Sequence, residues 1–255
     1  MRADLRSQMK TFGGLLVTNA LLVLITYLRI PPKEIAPQAT WPAIPQWQLA
    51  LVSAGLILAV YGLLGMVGFW FARRLGLPGI YRPDAGLRLW IVAPLVTGLV
   101  AGNVLVVLDR LFALSLGWDG LPHPSFPLSL LASATAGIGE EIVFRLFVLG
   151  LLAFLLNFLL NLFLQRRETT GVALWLGNIF AALAFAAAHL PAVAFLLKLP
   201  SPAAIPHLVL AEVFLLNGIA GLLAGWQYIR CGLVAAVGVH FWSDIIWHVL
   251  WPAIR

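Results

Sequence analysis

Charge is what this sequence has least of. Only 10% of its residues are Asp, Glu, Lys or Arg, where a soluble domain carries roughly a quarter. Beside the 62% of residues that are hydrophobic, that shortage excludes a water-soluble globule. Cysteine is all but missing: Cys231 stands alone, so no internal disulfide can form, and it reads as a small apolar filler beside Gly232. There is no internal repeat and no polar stretch long enough for a separate soluble domain. Nor do polar and apolar residues alternate over about ten positions, as barrel strands require. The bilayer is the solvent this composition calls for. Spanning segments must satisfy their own backbone groups, and long unbroken apolar runs do that as helices.

The runs cover 12–28, 49–71, 89–108 (with an extension to 116), 126–164, 172–189, 206–228 and 232–250. About 20 residues cross the hydrocarbon, so the fourth run is either one long protruding helix or two pieces. The expectation is therefore an all-α polytopic bundle of seven to eight transmembrane helices around a polar intramembrane cavity. Residues 1–125 supply the N-terminal helices and 126–255 the remainder of one continuous membrane domain. The segment 192–199 reads as a loop or re-entrant piece, and 31–45 as a loop in which Pro37, Pro42 and Pro45 prevent helix. Arg2, Arg6 and Lys10 precede the first run, as in a signal peptide. Arg29-Ile30-Pro31-Pro32 follows it without a small-residue cleavage site, so a retained first helix is the expectation.

The net charge of +6 does not point to nucleic acid, because the basic residues sit in short clusters between apolar runs. Cytoplasmic loops are enriched in Lys and Arg. With the N-terminus in the cytoplasm, the inner loops hold Arg73, Arg74, Arg82 and Arg88, then Arg166 and Arg167, then Arg230. The outer side receives Arg29, Lys33, Arg110 and Lys198. Trp41, Trp47, Trp118 and Trp251 fall near the ends of runs, where interfacial anchors belong. The short loops and the lack of organellar targeting fit a prokaryotic inner membrane.

Against this background the ionisable residues inside the runs stand out, since each costs roughly 2.5–3.5 kcal/mol at mid-bilayer on insertion scales. They are Glu140, Glu141, Arg145, His189, Glu212, His240 and Asp244, with His248 nearer an end and His207 at an interface. Glu141 and Arg145 are four apart and can pair on one helical face. Glu140 lies about 100° round the helix, away from Arg145. His240 and Asp244 are again four apart, while His189 follows Phe185 by four. Each feature has a bland reading: a structural ion pair, a packed histidine, a helix-pinning hydrogen bond, and for Glu212 a structural carboxyl without an i±4 partner. As a set they supply a general base, a residue to hold water and oxyanion donors. The same atoms are zinc ligands.

Glu140-Glu141-Ile142-Val143-Phe144-Arg145 resembles the EExxxR motif of the CAAX-protease and bacteriocin-processing (CPBP) intramembrane peptidases. Phe185 to His189 resembles their FxxxH motif, and His240 to Asp244 their HxxxN/D motif. The stretch 214–221 is similar to their Gly-containing helix before the last motif. The resemblance covers roughly 128–250. It implies about eight membrane helices around a polar cavity and peptide-bond hydrolysis within or beside the bilayer. By that resemblance Glu140 with His189 activates water, His240 and Asp244 hold the oxyanion, and Glu141 orients the site through Arg145. Where Asn is common the chain has Asp244, which donates only when protonated; otherwise it orients His240 or helps bind metal. A metal-free glutamate mechanism is the favoured expectation, with zinc as the alternative. The implied partners are the lipid bilayer and a peptide or protein substrate, either a prenylated CAAX protein, a bacteriocin-like peptide or another membrane-embedded protein. A proton or ion pathway, and an inactive scaffold or immunity protein, are the competing classes. A depth count adds a structural condition: for Glu140, His189 and His240 to meet, the fourth run must protrude or break after Gly150.

Overall fold

A computed structural model of the protein describes residues 5–36, 39–164 and 169–254. Arg2, Pro37, Arg166 and Arg167, used above for topology and for the loop, lie outside the described residues. The described residues are all-helical, without a strand. Seven helices are long and apolar enough to cross a membrane: α1 (Leu5–Arg29), α2 (Gln46–Arg74), α3 (Arg88–Leu116), α4 (Leu128–Phe163), α5 (Thr170–Leu196), α6 (His207–Cys231) and α7 (Leu233–Ile254). The protein is therefore an integral membrane protein, and its outward side chains agree. Leu63, Val107 and Phe158 are 67%, 58% and 61% exposed, a surface that lipid tolerates and water does not.

α4 does not break after Gly150. It runs 36 residues without interruption, and at about 1.5 Å per residue that is roughly 54 Å, well beyond the hydrocarbon thickness. What changes is its winding. Directly after Glu141 the helix opens into a π-helical stretch, Ile142–Leu149, before returning to α geometry at Gly150. α7 does the same directly after Asp244, over Ile245–Leu250. Wide turns of this kind are frequent at functional sites, and α2 and α3 carry them too, at Ile57–Tyr61 and Arg88–Val92. Segment 192–199 is helical as far as Leu196, where Leu190–Leu196 continues α5, and turns only beyond it. Pro191 lies in the first turn of that piece, where its missing N–H costs no hydrogen bond. The 31–45 segment holds one helical turn, Pro32–Ile35, for the same reason, since Pro32 is its first residue.

α4, α5, α6 and α7 pack on one another, with α3 closing the side formed by α6 and α7. Tight approach between α3 and α7 depends on Gly98 and Gly102, a small-xxx-small pair of the kind that lets membrane helices meet backbone to backbone. A Cβ on Gly98 would stand 2.6 Å from the Val239 carbonyl, and one on Gly102 2.7 Å from that of Ser243. Backbone cannot yield as a side chain tip does. Gly98→Ala and Gly102→Ala are each expected to lose about 1–3 kcal/mol through overpacking, read as a lower thermal midpoint in detergent. Gly86→Ala, where a Cβ meets nothing within 4 Å, should stay within about 0.5 kcal/mol. Unchanged midpoints in both tight variants would rule this packing out.

Candidate active site

Glu140 and Glu141 close the first, α-helical part of α4, and Arg145 sits in the wide turn that follows. Glu141 and Arg145 are fully buried and paired, Arg145 Nη1 to Glu141 Oε1 at 3.2 Å. The guanidinium also lies over the Phe185 ring of α5, 4.4 Å from its centroid, a favourable cation–π contact. Glycine clears the other side of Arg145: a Cβ on Gly221 of α6 would come 3.1 Å from Nη2.

Glu141 does more than pair with Arg145. The same Oε1 takes a hydrogen bond from His240 Nδ1 of α7 at 2.8 Å. A carboxylate only accepts, so Nδ1 carries the proton and His240 Nε2 points away from it. His189 is fixed by the same logic. Its Nδ1 donates to the Phe185 carbonyl at 2.8 Å, which turns Nε2 outward. It stands at the junction of the two pieces of α5, where its own N–H reaches Ala186. Both histidines thus have one nitrogen held and the other presented.

The presented nitrogens converge on Glu140. His189 Nε2 and His240 Nε2 each lie 3.9 Å from Glu140 Oε2, and that oxygen is shut off from solvent without a hydrogen-bond partner. Asp244 Oδ2 is 3.6 Å from His240 Nε2, an ion-pair distance rather than a hydrogen bond. All six residues singled out in the sequence (Glu140, Glu141, Arg145, His189, His240 and Asp244) therefore meet in one place. The 3.9 Å separations are longer than hydrogen bonds, and the three side chains border one gap. The gap opens into a cavity of about 200 Å³, lined further by Phe185, Asn217 and Trp247.

Zinc was the alternative that the residue types left open. Zn–N and Zn–O bonds near 2.0–2.1 Å in a tetrahedron place ligand atoms about 3.3 Å apart, shorter than the 3.9 Å found here. Among the described residues no group of three or more His, Cys, Asp or Glu side chains is arranged to hold a metal ion. The donors as placed do not fit the ion, so no step below runs through one.

Several further contributors were not grouped with the site from the sequence. Asp109 of α3 is fully buried, accepts the Leu121 N–H at 3.0 Å and sits beside Glu212 of α6. The two carboxyls thus lie near each other on different helices, and the bond from Leu121 to Asp109 tethers the 117–127 connection that walls the cavity. His248, four residues beyond Asp244 on the same face, lines the cavity. Its Nδ1 meets His123 Nδ1 at 3.1 Å. The N-terminal helices also reach the site, since a Cβ on Gly139 would strike Tyr61 of α2 at 2.6 Å and Asn19 of α1 at 2.9 Å. The i, i+4, i+8 spacing of His240, Asp244 and His248 was a readable signal; the contacts of Asp109 and Asn19 had none.

Compared with known proteins, residues 122–246 match the family described as type II CAAX prenyl endopeptidase Rce1-like, a family of proteases. No curated protein and no solved structure matches the chain.

Proposed function

From a chain whose residues 122–246 belong to the CAAX-protease (CPBP) family, we propose an intramembrane endopeptidase that uses Glu140 as general base on a bound water. The observation that carries this reading is the unpartnered Glu140 Oε2 facing two oriented imidazole Nε2 atoms at 3.9 Å each. A water between them gives one proton to Glu140 and is held by His189, so its oxygen attacks the scissile carbonyl. The carbonyl oxygen becomes an oxyanion, met by the Nε2–H of His240 in its protonated form, and by Asp244 only when that carboxyl is itself protonated. Glu140 then passes its proton to the departing amine. Glu141, held by Arg145, keeps the His240 ring aimed. The substrate is a peptide or protein reached from the membrane, of the prenylated CAAX class or a bacteriocin-like peptide. The setting is a prokaryotic cell membrane with the N-terminus cytoplasmic.

The test is hydrolysis by detergent-purified protein of two quenched-fluorescent peptides, one prenylated and one apolar without lipid, with and without a zinc chelator. Cleavage undiminished by chelation is expected. Activity abolished by the chelator and restored by zinc would replace this mechanism with a metalloprotease. Absence of cleavage for both peptides would overturn the peptidase reading with these substrate classes.

A further inference from the structure

The two faces of the bundle differ in charge, and the cavity opens on only one of them. The first face gathers the start of α1, the end of α2, the start of α3 and the α6–α7 turn. The Gln8 side chain donates to the Pro78 and Tyr81 carbonyls, Arg82 N–H to Cys231 and Leu233 N–H to Gly79. Arg6, Lys10, Arg73, Arg74, Arg82, Arg88 and Arg230 are exposed there. Arg73, Arg82 and Arg230 also border a cavity of about 500 Å³ on this face. Among the described residues the first face has one acidic residue, Asp84, paired with Arg82, whereas the second carries Arg29, Lys33, Arg110 and Lys198 with Glu34 and Asp119.

The catalytic cavity belongs to the second face. Pro122, Pro124, Leu196, Leu197 and His248 border it, and these lie where α3, α4, α5 and α7 begin or end away from the arginines. No residue of the arginine-rich face lines it. Glu140 sits 12 residues in from Leu128 on this side, so the shaft is about 18 Å deep. Lys and Arg concentrate on the cytoplasmic side of membrane proteins, where anionic lipids also hold basic pockets between helices.

We infer that the active site opens on the non-cytoplasmic side of the membrane, and that its substrates are exported, membrane-associated polypeptides cut after translocation. This rests on the peptidase reading above and narrows it, because a prenylated C-terminus made and held in the cytoplasm would face the closed side.

Sidedness can be read without any activity. Cys231 is buried and is the only cysteine, so Cys231→Ala gives a clean background. Into it go Ser201→Cys, exposed beside the cavity mouth, and separately Gly86→Cys on the arginine-rich face. A membrane-impermeant maleimide applied to intact bacterial cells should label Ser201→Cys at once. Gly86→Cys should be labelled at least tenfold less until the cells are permeabilised. The reverse pattern overturns the inference. The same purified variants are assayed for peptide hydrolysis in detergent. Cleavage with inward labelling sinks the sidedness alone, whereas outward labelling without cleavage of any peptide sinks the peptidase reading on which the substrate class depends. In proteoliposomes with the mouth outward, a lipid-tethered peptide added outside should be cut at least tenfold faster than one enclosed. Faster cutting of the enclosed peptide would overturn the substrate class.

Discussion

Glu140→Gln abolishes peptide hydrolysis, with an expected loss in kcat of about 10²–10⁴-fold, while the bundle stays folded. The amide keeps the size and shape of the carboxylate but cannot take a proton from water, which removes the general-base contribution. Little else changes, because Glu140 Oε2 accepts no hydrogen bond and the side chain as a whole is a third exposed. The comparison that checks this is kcat beside the thermal midpoint of the detergent-solubilised protein, wild type against variant. Retention of more than a tenth of the activity would remove Glu140 from the role of base. A collapsed midpoint would make it a structural residue.

Arg145→Met has the opposite profile: its main effect is on stability. Arg145 and Glu141 are 1% and 0% exposed, and removing one partner of a buried ion pair costs roughly 3–5 kcal/mol because the other charge is left uncompensated. For a chain of this size that corresponds to a fall in midpoint on the order of 10 °C. Met fills much of the volume and keeps contact with Phe185, so lost packing is a minor part. The double variant Glu141→Gln/Arg145→Met should recover part of the loss, as replacing both charges leaves none stranded. It should not recover activity, since a neutral amide in place of the Glu141 carboxylate no longer offers the charged acceptor that aims His240. Additive losses in the cycle would mean that the two side chains act independently.

These residues also show what a one-dimensional reading can and cannot reach. Seven spans follow from run length, because lipid leaves a helix no alternative to about 20 apolar residues. The Glu141–Arg145 pair follows from i, i+4 spacing and needs nothing but one helix. The same spacing left Glu140 unpaired. By contrast, the hydrogen bond from His240 to Glu141 joins residues 99 apart. It makes Glu141 the hub of two helices rather than an auxiliary of Arg145, and no local pattern announces it. The π-helical stretches after Glu141 and Asp244 are invisible for a related reason: apolar residues fill a wide turn as readily as a narrow one. Of the two devices expected, α4 has the protrusion, running 36 residues unbroken, and Gly150 instead lets α2 approach, with Phe71 Cβ 3.2 Å from where its own Cβ would be. Asp109 escaped because it stands beside Arg110 where the third run weakens between 108 and its extension to 116, and charged residues there usually mean water rather than a buried carboxyl.

The depth of the catalytic site limits the shape of what can be cut. Glu140 lies about 18 Å in from the start of α4, at a cavity lined by side chains of α3, α4, α5, α6 and α7. A polypeptide crossing the bilayer as an intact helix keeps its carbonyls in its own hydrogen bonds and behind its side chains, so it cannot present its backbone to Glu140. It must first unwind over a few residues, giving up hydrogen bonds that lipid will not replace. Sequences that already lack those bonds, through proline, glycine or a frayed end near the mouth, start closer to the reactive conformation. Selection would then act on how easily the chain comes undone, with side-chain identity a secondary filter.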